Sequence, residues 1–294
     1  MKLYDDIVLT GNRAIAKSYA KINLTLDVLG KLENGYHEVK MIMQSVNLFD
    51  LIIIDKTAKD IKISTNSKII PATSQNIAYK AAKLFFAETK IQGGAKILIH
   101  KNIPVAAGLA GGSGNAAATL CALNLLYNAE LSDEHLEKLA LTLGADVPYC
   151  ISGGTQLAEG IGEKLTPLPS ISKVPVVLVK PPINISTATI YKKIDFAEYL
   201  HHPDTDAVLA AIANKNISEI AQNMSNIMET VTIKDCAEIK EIKEKLLSFG
   251  ALGAVMSGSG PTVFGLFPDN LSAKKACDYF SKKYPETFLA HTIE

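Results

Sequence analysis

The stretch PVAAGLAGGSGNAAA, Pro104–Ala118, decides how the chain is read. Ten of its fifteen residues are glycine or alanine, and it carries no charge. Such a run fits a flexible linker, a tightly packed helix or a backbone cradle for an anion. Its flanks bear on the choice. Lys96–His100 alternates apolar and polar positions, the pattern of a strand. Ala116, Ala117, Leu120, Leu123 and Leu126 give Asn115–Tyr127 one apolar helical face. A run joining strand to helix argues against a linker. Glycine lets a backbone turn sharply and approach a ligand closely. A helix N-terminus adds unpaired N–H groups and partial positive charge. Together these make a phosphate site. A tight loop of small residues, there only for helix packing, is the alternative.

Two common phosphate loops do not fit. A Walker A loop needs lysine at the helix start, and no lysine lies between Lys101 and Lys138. A dinucleotide fingerprint is formally present over Gly112–Ala117. The acidic residue expected ~20 positions on, at a strand end, is replaced by Glu130 and Asp133 at a helix–helix connection.

Working outward, Ser18–Leu29, Leu51–Asp55, Ile61–Thr65 and Val176–Val179 read as strands. Asn76–Thr89, Asp206–Met228, Ala237–Phe249 and Ser272–Tyr284 read as helical. Ser132 is a helix N-cap and Gly144 a helix stop. GALGAVMSGSGPTVFGLF reads as turn, strand, tight turn, strand. Strands and helices mix without regular βαβ alternation, which favours an α+β class. The proline-rich stretch at 162–175 suggests a boundary, giving two domains, 1–165 and 166–294.

Composition narrows the function. The chain has 294 residues and zero formal net charge, which argues against a general nucleic-acid binder. Its apolar runs are too short to span a bilayer. MKLYDDIVL resembles neither a signal nor a transit peptide, so a cytoplasmic location is expected. Cys121, Cys150, Cys236 and Cys277 form no CxxC pair and read as buried free thiols. His201 and His202 read as a polar loop pair. No metal-ligand spacing appears. A monomer or a homodimer is equally compatible with the sequence.

Several residues invite chemistry. Asp146 lies at a turn between Gly144 and Pro148, where it could be a catalytic carboxylate or a turn cap. Lys21 lies in an apolar strand, where an exposed-face residue covering apolar surface with its stem is the ordinary reading. Asn23 falls on the same strand face. Tyr36 and His37 follow the turn signal Asn34-Gly35. Lys101 could be an exposed strand-end lysine.

One longer pattern covers the glycine run: Pro104, Gly108, Leu109, Ala110, Ser113 and Ala116. It resembles the ATP loop of the GHMP kinases. YAKINLTLDVLGKLENGYHEV, GADVPYCISGGTQLAEGIGE and GAVMSGSGPTVFGLF resemble further motifs of that superfamily, in the same order. The resemblance spans about residues 18–268. Ala106, Ala107, Ala110 and Gly114 depart from the family's usual loop.

The resemblance implies a ribosomal-S5-like N-terminal domain and a ferredoxin-like C-terminal domain. It implies ATP with Mg²⁺, and phosphorylation of the 2-hydroxyl of a small-molecule substrate, a cytidine diphosphate-linked methylerythritol. By the same resemblance Asp146 is the catalytic base, with Lys21 beside it. Lys101, Pro104, Gly108, Leu109, Ala110, Gly111, Gly112, Ser113, Gly114 and Asn115 hold the nucleotide. Asn23 meets the substrate, Tyr36 and Tyr191 stack on its cytosine, and His37 bonds the base edge. Gly258 and Gly260 form a turn that closes the site. The rival readings are another small-alcohol kinase, such as homoserine kinase, a non-catalytic nucleotide-binding paralogue, and a Rossmann oxidoreductase.

Overall fold

The computed structural model describes residues 6–197 and 200–294. In chain order the elements begin β1 (Val8–Thr10), β2 (Arg13–Lys31), β3 (His37–Thr57), β4 (Ile61–Thr65), α1 (Ile77–Thr89), β5 (Gly94–His100) and α2 (Gly111–Leu126). Next come α3 (Asp133–Leu143), α4 (Val147–Ser152), β6 (Thr155–Glu159), β7 (Lys164–Pro167), β8 (Pro175–Val179), α5 (Thr187–Asp195) and α6 (Thr205–Ala213). The chain continues with α7 (Ile217–Asn223), β9 (Ser225–Asn226), α8 (Glu229–Asp235), α9 (Ala237–Ser248), β10 (Gly253–Met256), β11 (Val263–Leu266), α10 (Asn270–Phe280) and β12 (Thr287–His291). The α+β expectation holds. Most strand pairs are antiparallel, and β4–β5 and β2–β9 are parallel.

The chain divides into two compact units. One comprises residues 1–20, 48–105 and 110–153; the other comprises 21–47, 106–109 and 154–294. In the first unit the β3 segment Leu51–Thr57 pairs with β5, which pairs with β4. Ile52, Ile54, Ile97 and Ile99 alternate along these strands and place their side chains in the core. Against them lie Ala78, Ala81, Ala82 and Phe85 of α1 and the apolar residues of α2. Helix α2 is buried almost all round, and its small residues Ala116–Ala118 allow that packing. Ser132 caps α3 by accepting from the His135 N–H at 3.3 Å, and Gly144 ends that helix.

In the second unit the sheet order is β10–β11–β8–β12, all antiparallel. Val176–Val179 are fully buried, as a central strand covered on both faces requires. Helices α9 and α10 pack on this sheet. The β3 segment Met41–Gln44 pairs with β6, and β6 pairs with β7. Cys121 is buried and Cys150, Cys236 and Cys277 are half-buried, so only the first fits the expectation of burial. His202 is more than a polar loop residue, since its Nδ1 lies 2.8 Å from the Asp27 carboxylate. Among the described residues no helix is long and apolar enough to cross a membrane.

Candidate active site

From Lys21 to Val28 every residue of β2 is buried. Lys21 donates its ammonium protons to Asn23 Oδ1 at 2.7 Å and to the Gly108 carbonyl at 3.0 Å. It is 4% exposed, so the exposed-face reading of this lysine does not hold. Asn23 shares its strand face and is fully buried. The Asn23 amide nitrogen points to Met41 Sδ at 3.3 Å, which turns its oxygen toward Lys21. The Lys21 N–H also donates to the Leu109 carbonyl at 3.2 Å. Residues 108 and 109 of the central loop are therefore tied to β2 at this lysine.

The same loop residues meet the turn between β10 and β11. Gly108 has a φ of +74°, and a Cβ there would lie 2.0 Å from the Ser257 carbonyl oxygen. Only glycine meets both conditions. The Ser257 hydroxyl donates to the Gly108 carbonyl at 3.0 Å. Asn226 holds the turn from behind, donating to the Met256 and Gly258 carbonyls at 2.8 Å each. Asn226 lies in NMSNIM, which has neither turn chemistry nor periodicity to mark it. Only the tertiary structure shows what it does.

In the first unit α2 starts at Gly111, within the glycine run and earlier than apolar spacing predicts. Its N-cap is Ala110, at a φ of +54°, with no side-chain cap bond. The glycines differ in what surrounds them. A Cβ at Gly111 would lie 2.9 Å from Lys101 Nζ and 3.0 Å from Ile103. One at Gly114 would lie 2.5 Å from the Ser18 hydroxyl oxygen. One at Gly112 would meet only Ile77, at 3.8 Å, and Gly112 is exposed. Packing thus demands Gly111 and Gly114, while Gly112 leaves its side open. Pro104 and Leu109 are buried and Ser113 is half-buried. Buried Ser18 Oγ and Asn115 Oδ1 have no hydrogen-bond partner, which native interiors rarely tolerate. An open glycine at a helix start without a side-chain cap fits a polar anionic ligand.

Lys101 is not an exposed strand-end residue. Its side chain is 6% exposed, and its ammonium lies 2.8 Å from Asp50 Oδ2 and also donates to the Ile103 carbonyl. Asp50 Oδ1 accepts from the backbone N–H groups of Asn102 and Ile103 at 2.7 and 2.8 Å. Fully buried Asp50 therefore fixes the turn leading into the loop. Sequence reading missed it because an aspartate inside a long strand carries no local signal. Asp146 occupies the N-cap position of α4, yet its side chain makes no cap hydrogen bond.

At the far end of β2 the Asn34 side chain accepts from the Tyr36 N–H at 3.0 Å, and Gly35 takes a φ of +85°. This is the turn that Asn34-Gly35 predicts. Tyr36 is 59% exposed. The His37 ring stacks on Tyr191 with centroids 4.4 Å apart and planes at 20°. One face of Tyr191 is thus covered by imidazole. His37 Nε2 lies 2.6 Å from Asp195 Oδ1, and Lys31 Nζ lies 3.0 Å from Asp195 Oδ2. The hydrogen bond from His37, and then that from Lys31, hold the Asp195 carboxyl below its ordinary range. Asp195 and Lys31 escaped the sequence reading because charged residues at element ends are usually solvated.

Family models match two segments: the GHMP kinases N terminal domain over residues 76–154 and the GHMP kinases C terminal domain over 208–286. The chain is 50% identical to a 4-diphosphocytidyl-2-C-methyl-D-erythritol kinase of Acetivibrio thermocellus, covering 94% of this chain and 98% of that one. It is 48% identical to the enzyme of that name from Clostridium novyi, over 94% and 99% of the two chains. The chain belongs to the 4-diphosphocytidyl-2-C-methyl-D-erythritol kinases, within the GHMP kinases. A crystal structure of 4-(cytidine 5'-diphospho)-2C-methyl-D-erythritol kinase superposes on this GHMP kinase with a TM-score of 0.83. It is 31% identical and covers 95% of this chain. A homoserine kinase of Cytophaga hutchinsonii shares the fold, with a TM-score of 0.78 at 18% identity. GHMP kinases use ATP, and the glycine-rich run of this member lies within the stretch that the N-terminal model covers.

Proposed function

We propose that this kinase transfers the γ-phosphoryl group of ATP to the 2-hydroxyl of 4-diphosphocytidyl-2-C-methyl-D-erythritol. The products are the 2-phosphate and ADP, in non-mevalonate isoprenoid precursor synthesis in the cytoplasm. The observation that carries this reading is the near-half identity, across almost the whole chain, to enzymes of that name.

The residues fit the chemistry. Phosphoryl transfer to an alcohol demands positioning and electrostatics more than covalent chemistry. The open side of Gly112 and the N–H groups at the start of α2 receive the phosphates. Mg²⁺, when bound, would neutralise charge on the phosphates and would need oxygen ligands. The Ser113 hydroxyl is the loop side chain suited to add one. Asp146 accepts the proton leaving the 2-hydroxyl. Lys21, pinned by Asn23 and the Gly108 carbonyl, supplies a fixed positive charge for the developing alkoxide. Tyr36, His37 and Tyr191 hold the cytidine end.

A coupled ADP-release assay tests the reading. The cytidine substrate should give robust turnover, and homoserine and mevalonate little. Asp146→Asn should lose kcat by at least about a hundredfold, as removal of a general base does, with ATP binding near normal. Retained turnover in that variant would remove Asp146 from the mechanism.

A further inference from the structure

We propose that Asp195 determines base specificity by fixing which nitrogen of His37 carries the proton. This inference rests on the cytidine reading above and deepens it. An ionised carboxylate can only accept hydrogen bonds. Asp195 Oδ1, 2.6 Å from His37 Nε2, therefore requires the proton on Nε2. In neutral imidazole the other nitrogen, Nδ1, is then an acceptor. Cytosine presents an exocyclic amine, a donor, where uracil presents a carbonyl, an acceptor. An imidazole locked as an acceptor at Nδ1 suits the first and repels the second.

The surroundings support a lock. Lys31 Nζ, 3.0 Å from Asp195 Oδ2, keeps the carboxylate charged and leaves Oδ1 for the ring. Tyr191 stacks flat on the imidazole and removes its freedom to rotate out of plane. The His37 side chain is 9% exposed and that of Asp195 19%, so water competes weakly for the contact. The three elements involved are the end of β2, the start of β3 and the last turn of α5. Asp195 reaches the base only through His37 and is a positioning residue.

The test compares wild type, Asp195→Ala and Asp195→Asn by calorimetric titration with cytidine 5'-diphosphate and uridine 5'-diphosphate. Wild type should prefer the cytidine nucleotide. Asp195→Ala should lose that preference by up to about tenfold, the upper end for one hydrogen bond between neutral groups. Asp195→Asn should fall between, because its amide can present either oxygen or nitrogen to Nε2. For the cytidine substrate KM should rise while kcat at saturation changes little. Imidazole ¹⁵N shifts should show the Nε2–H tautomer in wild type and a mixture in Asp195→Ala. A wild type that discriminates, with unchanged discrimination in a folded Asp195→Ala, would overturn the proposal. So would an imidazolium, or an Nδ1–H tautomer, in the wild type. A wild type that binds neither nucleotide would instead sink the cytidine reading and this inference with it.

Discussion

Two alanines in the glycine-rich loop sit where backbone geometry favours glycine. Ala106 and Ala110 adopt φ values of +52° and +54°. The left-handed region costs an L-residue about 1–2 kcal/mol. Replacing either by glycine removes that cost but adds unfolded-chain entropy of about 0.4–1 kcal/mol. Ala110→Gly should therefore match or slightly exceed wild type in a denaturant titration. Ala107→Gly, at a buried position with ordinary φ, should lose stability. The two neighbours thus differ in sign, and a loss in both would show the loop conformation to be wrong. The same scale separates the glycines. Gly112→Val adds bulk on an open side, so the protein should stay folded while the KM for ATP rises at least tenfold. Gly111→Val drives a branched side chain into Lys101 and Ile103 and should cost about 1–3 kcal/mol by overpacking. Sequence alone could show that the loop is small. It could not show which glycine keeps an open side, because that depends on strands and side chains far along the chain.

At the scale of elements, the periodic segments were legible and the two-sided ones were not. Ile61–Thr65 is β4 as expected, and α1 runs from the Asn76 cap to Thr89. Strand β3 reads only as Leu51–Asp55, yet it runs from His37 to Thr57. Its first half, VKMIMQSV, lacks alternation because Met41–Val46 are buried on both faces, so period-two contrast vanishes. The buried polar residues on such strands are where function and folding meet. Asp50 and Lys101 join β3 to the end of β5 through a buried pair. Removing one partner of such a pair leaves an uncompensated charge and costs about 3–5 kcal/mol. Asp50→Ala should suffer this loss and also free the backbone N–H groups of Asn102 and Ile103. The double variant Asp50→Asn with Lys101→Met should recover much of the stability, since no buried charge remains. Chemical denaturation of wild type, Asp50→Asn, Lys101→Met and the double variant checks this. An additive double variant would mean that the two side chains do not interact.

The two compact units draw on interleaved stretches of chain, because β2 and β3 each contribute residues to both. A proline-rich stretch such as 162–175 is visible in one dimension. Strand sharing is a property of pairing that local composition does not encode. Of the residues assigned to the nucleotide, Lys101, Pro104 and Ala110–Asn115 belong to the first unit, and Gly108 and Leu109 to the second. Those assigned to cytidine, Tyr36, His37 and Tyr191, belong to the second, as do Lys31 and Asp195. Hydrogen exchange can read the footprints separately, because amide protection reports local opening. ADP with Mg²⁺ should slow exchange at the amides of Gly111, Gly112 and Ser113, which have no carbonyl partner in the preceding turn of α2. Cytidine 5'-diphosphate should slow exchange across Asn34–His37 and the last turn of α5. Each ligand alone should leave the other's segment near its ligand-free rate. Protection of Asn34–His37 by ADP alone would move that turn into the nucleotide site. It would also take from Tyr36 its role as the base-stacking ring. In that case Tyr36→Ala should raise the KM for ATP and for the cytidine substrate together. If the footprints are separate, only the cytidine KM should rise, by roughly one to two decades, since stacking on one ring is worth ~1–3 kcal/mol.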